Sequence, residues 1–371
     1  MFKPDYTGGS IVNLMSSIEK HFQGKPLYKP LKSLPGLKKN VLLIVIDGLG
    51  CEYLKSKKNS YLYMCLKGNM TSVFPPTTAS AITTYATGLA PKQHAMTGWF
   101  MNLKEVGGVS AVLPFVPRVG GLSYEMLGVE KENIFDTKGI CERIKAKCIT
   151  IHPNSIKDSE FNRKYSEEVL GYTCLEGFFR QIKKAMKRKG KKFIYAYWPK
   201  FDSLSHEKGN SSEEAAEHFA ELDKKISGLK GKDTTIIVTS DHGFIDAEKK
   251  IFLENHPKLN EMLSMPLCGE ARAAYCYVYP SKVKEFESYV NKKLSKYCWL
   301  YTREDMIKEN WYGLYKPHQN LLNRIGDYVL LMKNKYVIKD RLLNEEKSED
   351  IGFHGGVSKE EMLVAAMHES V

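Results

Sequence analysis

Three largely apolar runs end next to acidic residues in this chain. They cover residues 41–46, 193–198 and 234–239, and Asp47, Asp202 and Asp241 follow them. Runs of this length and composition indicate strands that are buried on both faces of a mostly parallel sheet. Ligands of such sheets gather at the carboxyl ends of the strands. The pattern therefore predicts an α/β fold with a polar site along one edge of the sheet.

Amphipathic patterns at helical spacing alternate with these strands. They predict helices at residues 10–22, 136–145, 165–188, 213–228 and 359–367. A further strand is expected at 148–152, whereas the polar, glycine-rich residues 95–114 indicate a loop. Helices on both faces of a central sheet would make a three-layer fold.

Residues 268–318 have a different pattern. An alternating strand from Arg272 to Pro280 precedes amphipathic helices at 283–294 and 304–309. We expect this segment to form a small α+β insertion, or cap subdomain, beside the main sheet. The whole chain, residues 1–371, is otherwise expected to be a single catalytic domain.

Two threonines stand where an extended segment turns into a helix. Pro75 and Pro76 end the extended segment, and an apolar helical pattern continues from Thr77 and Thr78 to Gly88. The free N–H groups and the dipole of a helix N-terminus favour an anion at this point. A threonine there is in isolation an ordinary N-cap residue. It becomes a candidate nucleophile only if other reactive groups converge on it.

The composition is that of an ordinary globular protein of 371 residues, with 43% hydrophobic and 26% charged residues. No apolar run approaches the roughly 18–20 residues of a membrane span, and no signal peptide is evident. Eight cysteines without a Cys-x-x-Cys pair indicate neither a disulfide scaffold nor a thiolate zinc site. We therefore expect a cytoplasmic protein with no membrane segment.

The formal net charge of +12 raises the question of a nucleic-acid partner. The densest basic run, residues 183–192, lies at the end of a predicted helix, where cations suit the helix dipole. We interpret it as a solvated helix end and do not expect nucleic acid as a structural partner. A diffuse positive field would still attract a small phosphorylated substrate. Nothing in the sequence indicates the oligomeric state.

Acidic and histidine side chains form a candidate metal site. Its members are Asp47, Asp202, His206, Asp241, His242 and His354. This mixture of oxygen and nitrogen donors suits zinc, with Mn²⁺ as the alternative, better than magnesium or calcium. Six ligands suffice for two divalent metals, an arrangement that suits phosphoryl transfer. Thr78 belongs to the same site as a metal-contacting residue, because a threonine hydroxyl that touches such a metal becomes a competent nucleophile.

The motifs that carry these residues resemble those of the alkaline phosphatase superfamily, in particular its type I phosphodiesterase/nucleotide pyrophosphatase branch. They occur in the family's order as Val45-Ile-Asp-Gly48, Phe74-Pro-Pro-Thr-Thr78, Thr87-Gly-Leu-Ala-Pro-Lys-Gln-His94, Asp202-Ser-Leu-Ser-His206, Thr239-Ser-Asp-His-Gly243 and His354-Gly-Gly356.

The resemblance implies an alkaline phosphatase-like fold with two metals. One would be held by Asp202, His206 and His354, and the other by Asp47, Asp241 and His242. Thr78 would be the nucleophile between them, because it lies ten residues before Gly88, as in the family.

The chain departs from the animal-type pattern beside the nucleophile. Trp99 stands where the family's pattern has an asparagine that holds a phosphoryl oxygen, and Asn102 is near enough to substitute for it. Arg272, with Trp99 or Tyr301, could hold a second phosphate or stack a base. The chain is more similar to prokaryotic members without an assigned substrate in three stretches, Pro76-Thr-Thr-Ala79, Leu103-Lys-Glu-Val-Gly107 and Gly269-Glu-Ala-Arg272.

The resemblance implies a metal-dependent hydrolase of phosphodiester or pyrophosphate bonds in nucleotide-like substrates, acting through a phosphothreonine. Alternatives that use the same metals are a phosphomonoesterase, a phosphonate hydrolase and a phosphomutase. A non-catalytic nucleic-acid-binding protein that kept the fold is a more remote alternative.

Overall fold

The computed structural model describes residues 1–34, 36–343, 345–346 and 349–368. The strands span Asn40–Ile46 (β1), Leu66–Thr71 (β2), Phe100–Leu103 (β3), Gly108–Ala111 (β4), Val116–Pro117 (β5), Lys147–Pro153 (β6), Glu168–Tyr172 (β7), Lys192–Trp198 (β8), Thr234–Thr239 (β9), Ile245–Asp246 (β10), Lys249–Phe252 (β11), Cys268–Glu270 (β12), Ala273–Cys276 (β13), Cys298–Thr302 (β14), Tyr328–Met332 (β15), Tyr336–Lys339 (β16), Gly352–Phe353 (β17) and Leu363–His368 (β18). The α-helices span Ile11–His21 (α1), Cys51–Ser56 (α2), Tyr61–Met64 (α3), Thr78–Thr87 (α4), Pro91–His94 (α5), Glu160–Tyr165 (α6), Leu175–Met186 (α7), Lys200–Lys208 (α8), Glu213–Ser227 (α9), Pro257–Asn260 (α10), Val283–Tyr289 (α11), Arg303–Lys308 (α12), Leu321–Arg324 (α13) and Lys359–Met362 (α14).

A seven-stranded sheet forms the centre of the fold, in the order β2-β18-β9-β1-β8-β6-β7. Strands β9, β1, β8, β6 and β7 are parallel to one another, and β18 is antiparallel to β2 and β9. β1 lies between β9 and β8, so the three strands that precede the predicted ligands are adjacent. The fold class predicted from the apolar runs is confirmed.

Both faces of this sheet are covered. The odd-numbered residues of β1 from 41 to 45 belong to a hydrophobic cluster that includes buried residues of α1 and α4. The even-numbered residues from 42 to 46 belong to a second cluster with α2, α7 and α9. Because successive residues of a strand point to opposite faces, β1 must be apolar throughout. The result is a three-layer arrangement of helices, sheet and helices.

A second seven-stranded sheet is antiparallel throughout, in the order β14-β15-β13-β12-β3-β4-β5. Residues 268–318 contribute β12, β13 and β14 to it, and the other strands come from elsewhere in the chain. The prediction of a loop at 95–114 is wrong, because β3 and β4 form a hairpin there. Gly107, with φ of 72°, allows the turn between the two strands.

Three helix predictions differ from the structure. The predicted helix at 359–367 ends at Met362, after which β18 pairs with β2 and β9. The predicted helix at 165–188 is interrupted by β7, so that α7 covers only 175–186. Residues 136–145 form turns. In the first two cases pairing with neighbouring strands of the central sheet outweighs local helix propensity.

The eight cysteines are not all free. A disulfide joins Cys141 and Cys148, and the other six cysteines are reduced. No spacing pattern distinguishes these two residues from the others, so the sequence predicted no such pair. No helix in the described part of the chain has both the length and the apolar character needed to cross a membrane.

Candidate active site

The predicted metal ligands meet at the carboxyl ends of three adjacent strands. Asp47 directly follows β1, and Asp241 and His242 follow β9. Asp202 and His206 lie one turn apart on α8, which begins just after β8. His354 follows β17, whose partner β10 comes shortly after His242. The sheet order therefore brings together residues that are far apart in sequence.

One group of potential ligands consists of Asp202, His206 and His354. The Nε2 atoms of the two histidines lie 3.2 Å apart. Asp202 Oδ1 lies 3.5 Å from the Nε2 atom of His206 and 3.9 Å from that of His354. These three residues are the set that the family resemblance implies for one metal.

A second group lies beside the first and shares Asp202 with it. Asp47, Asp202 and His242 offer ligand atoms within 4.8 Å of one another. His242 Nε2 lies 3.2 Å from Asp47 Oδ1 and 3.4 Å from Asp241 Oδ2. The rings of His242 and His354 stack with centroids 3.8 Å apart, which joins the two groups into one cluster.

Hydrogen bonds fix the tautomers of two histidines. His206 Nδ1 donates to the carbonyl of Gly352 over 2.9 Å, and His242 Nδ1 donates to that of Gly243 over 3.2 Å. A carbonyl can only accept, so each Nδ1 carries the hydrogen. The lone pair of each Nε2 then points toward the carboxylates, as in metal-binding histidines.

The donor set fits metal ions. Among the described residues, Asp47 Oδ1, Asp202 Oδ1 and Asp241 Oδ2 are buried and accept no hydrogen bond. Burial raises the pKa of Asp202 to about 7 and that of Asp241 to about 8, and neighbouring carboxylates add to both shifts. Burial likewise lowers the pKa of His354. Unsatisfied oxygens beside neutral imidazoles are what a divalent cation would neutralise.

Thr78 is the first residue of α4 and faces this cluster. Its Oγ1 lies 3.4 Å from His242 Nε2. Thr77 is the N-cap residue, but its side chain makes no capping hydrogen bond to the helix. Its hydroxyl instead donates to Glu270 Oε1 over 2.7 Å. The first N–H groups of α4 are therefore not occupied by the hydroxyl that usually caps them.

Glu270 is a site residue that the sequence did not predict. It ends β12 in the second sheet, and its Oε1 accepts hydrogen bonds of 2.7 Å from Thr77 and from the backbone N–H of Trp99. Burial raises its pKa to about 7. No strand-end pattern marks it, since β12 has only three residues. Glu270 lies in the motif Gly269-Glu-Ala-Arg272, but Arg272 was the residue of that motif predicted to bind substrate.

A cavity of about 390 Å³ opens from the Asp/His cluster between the two sheets. Thr77, Thr78, Asp202, His206 and His354 line its inner end. Its outer walls are lined by Trp99, Phe100, Arg118, Glu270, Lys339, Asp340, Asp350 and Phe353. Trp99, predicted as a substrate-binding residue, thus borders the space that a substrate would enter.

Arg272 and Asn102 lie away from this cavity. The Arg272 guanidinium is buried and forms a two-point ion pair with Glu361, with distances of 3.0 and 2.7 Å. It also donates to the carbonyl of Tyr336. Asn102 is buried on β3, and its amide donates to the carbonyl of Asn323. The structure therefore gives both side chains structural partners and does not place either beside Thr78.

The fold and the site together define a hydrolase of the alkaline phosphatase-like class. The family model for type I phosphodiesterase/nucleotide pyrophosphatase matches residues 41–357. The chain belongs to that family, whose members hydrolyse phosphodiester and related bonds, as the motifs predicted. A comparison with curated protein sequences yields no match.

Solved structures share the fold at low sequence identity. Murine ectonucleotide pyrophosphatase/phosphodiesterase 5 is 18% identical, with a TM-score of 0.66 over 88% of this chain and 87% of that one. An inactive form of the murine protein, in complex with AMP, gives 17% and 0.67 over 89% and 87%. Phosphonoacetate hydrolase from Sinorhizobium meliloti, bound to phosphonoformate, gives 15% and 0.63 over 90% of each chain.

Proposed function

We propose that this protein hydrolyses phosphodiester or pyrophosphate bonds of nucleotide-like substrates, with Thr78 as the nucleophile beside two divalent metal ions. The observation that carries the proposal is the convergence of Thr78 with two Asp/His groups at the carboxyl ends of adjacent strands. Membership in the phosphodiesterase family and the fold shared with an AMP-bound relative support it.

The metals would be held by the residues already described. Asp202, His206 and His354 would bind one ion, and Asp47, Asp241 and His242 would bind the other. Zinc is the ion that this mixture of carboxylates and imidazoles suits best. Bound there, such ions supply positive charge that lowers the pKa of an adjacent hydroxyl and stabilises charge on oxygens bonded to phosphorus.

The chain's own groups would do the rest. Thr78 Oγ1 would attack phosphorus as its proton leaves, so that an oxygen–phosphorus bond forms while the bond to the leaving alcohol or phosphate breaks. Water would then cleave the bond between phosphorus and Thr78 Oγ1 in the resulting phosphothreonine, which for a diester substrate still carries the remaining alcohol group. The free N–H groups at the start of α4 are suited to hold phosphoryl oxygens during both steps, since they are fixed before the substrate arrives.

Replacing Thr78 tests the proposal directly. With zinc present, Thr78→Ala should lower kcat for the p-nitrophenyl ester of thymidine 5′-monophosphate by about a thousandfold or more, because the nucleophile is lost. Thr78→Ser should keep part of the rate and allow the serine ester of thymidine 5′-monophosphate to be trapped by acid quench and mass spectrometry. The same assay on p-nitrophenyl phosphate and on a phosphonate compares the alternative substrate classes.

Thr83→Ala is the matched control on the same helix. Its hydroxyl donates to the carbonyl of Ala79 and does not line the cavity, so the variant should retain the rate. An unchanged rate in Thr78→Ala, or full activity after exhaustive chelation, would refute the proposal.

A further inference from the structure

Glu270 places a negative charge in the wall of the cavity that holds the nucleophile. Its carboxylate accepts from the hydroxyl of Thr77, the residue directly before Thr78, and from the N–H of Trp99. Glu270 also packs against Gly355. A Cβ atom at position 355 would lie only 2.6 Å from Glu270 Cβ, so a residue with a side chain would collide with Glu270. Glu270 therefore stands between the start of α4 and the turn that carries His354.

Among the described residues, no basic side chain forms a hydrogen bond or an ion pair with this carboxylate. Its two partners, a hydroxyl and a peptide N–H, are uncharged. Two basic side chains line the same cavity, and both are engaged elsewhere. Arg118 binds Asp340 and Glu345, and Lys339 lies 3.4 Å from Asp350. When ionised, Glu270 thus adds a negative charge to the wall of the cavity that Thr78 also lines.

On the basis of the proposed function, we propose that Glu270 is a specificity-determining residue that disfavours phosphomonoester dianions and so selects phosphodiester monoanions. A diester carries one negative charge at phosphorus, whereas a monoester carries about two above neutral pH. The metals attract both substrates, but a fixed carboxylate repels the second charge in a partly desolvated site. Like charge is the repulsive element that this kind of discrimination requires.

The isosteric variant Glu270→Gln tests the inference. The glutamine carbonyl can still accept from Thr77 and Trp99, so the change removes the charge and keeps the shape. We expect kcat/KM for p-nitrophenyl phosphate, relative to the thymidine diester, to rise about tenfold or more. Assays at about pH 8.5 keep Glu270 and the monoester ionised.

Glu270→Asp is the conservative control. It keeps the carboxylate, so the monoester should remain disfavoured even if the shorter side chain lowers both rates. Thr77→Val, which removes a hydrogen bond but no charge, should also leave the ratio of the two kcat/KM values unchanged. Thermal unfolding of each variant shows whether the protein is folded.

The outcomes separate this inference from the proposed function. Equal loss of both activities in Glu270→Gln, with the ratio unchanged, would mean that Glu270 only positions its neighbours and would overturn the inference. A wild-type enzyme that lacks diesterase activity would overturn the proposed function, whatever the variants do. A raised ratio in Glu270→Gln together with an unchanged ratio in Glu270→Asp would establish charge as the cause.

Discussion

Buried histidines outside the candidate site have a cost that depends on pH. His152 on β6 is buried, its Nδ1 lacks a hydrogen-bond partner among the described residues, and burial lowers its pKa to about 3. The unfolded chain takes up a proton near pH 6.5, but the folded protein cannot do so until about pH 3. Because the unfolded chain binds this proton and the folded protein does not, the free energy of unfolding falls as the pH drops from about 6.5 to about 3.

His152→Leu should reduce this acid sensitivity. Between about pH 6 and 4, the slope of the unfolding free energy against pH should fall by about one proton, or about 1.4 kcal/mol per pH unit. Urea unfolding in the presence of a chelator measures the slope. Thr150→Val on the same strand removes no titrating group, so it should change stability without changing the slope. An identical slope in His152→Leu would show that His152 titrates in the folded state.

At the scale of single residues, the sequence was most informative for site residues that come shortly after a buried strand. Asp47, Asp241 and His242 could be located because an apolar run ends immediately before them. Glu270 could not, because its strand has three residues and its role depends on contact with Thr77 from a different sheet. Arg272 was predicted to reach substrate, whereas the structure pairs it with Glu361. These residues are 89 positions apart, so no local sequence pattern indicates the ion pair.

At the scale of elements, Arg272 and Glu361 connect the hairpin of β12 and β13 to α14. Glu361 also accepts from the N–H of Gly356, in the turn that follows His354, and forms a capping box with Ser358. The ion pair therefore fixes the loop that carries one predicted metal ligand. Its contribution is to structure, since both side chains are buried away from the cavity.

Arg272→Met should destabilise the protein without acting on substrate affinity. Removing one partner leaves the buried Glu361 carboxylate unpaired, which costs about 3–5 kcal/mol. Chemical denaturation measures the loss, and KM for the diester in the fraction that stays folded should be unchanged. The double variant Arg272→Met/Glu361→Leu should recover much of the stability. A large rise in KM without loss of stability would contradict this structural role and indicate that Arg272 binds substrate.

Long elements could be predicted better than short ones. β1, β8, β9 and α9 follow clear patterns, and α9 also has an N-cap serine at 212 and two glutamates in its first turn. β3, β4 and β12 have only three or four residues each, and a sheet partner decides whether such segments become strands. The C-terminal segment shows this, because a strong helix start at Ser358 gives way to β18 after a single turn.

At the scale of the whole molecule, two buried carboxylates, the partly buried Asp202 and three histidines lie close together. In the metal-free protein this cluster opposes folding, because burial and mutual repulsion raise the pKa of Asp47 and of its acidic neighbours. A divalent cation would remove that penalty and bind the folded state alone.

Zinc should therefore stabilise the protein. At a free concentration about a hundred times Kd, binding at one site adds about 2.7 kcal/mol to the unfolding free energy. Thermal unfolding with a chelator and with added zinc measures the shift. His206→Ala should reduce the shift, whereas His256→Ala, outside the cluster, should not. Equal shifts in both variants would indicate zinc binding elsewhere on the surface.

The order of strands in the central sheet also has a consequence for folding. Thr78 and His242 are 164 residues apart in sequence, and His206 and His354 are 148 apart. Closing such long loops is slow. Neither group of potential metal ligands is complete until its loop has closed. No fragment that begins after Asp47 or ends before His354 contains the full cluster. If the protein binds metal as proposed, uptake of metal would be a late event in its maturation, and a metal-loaded chain would be one whose topology is already complete.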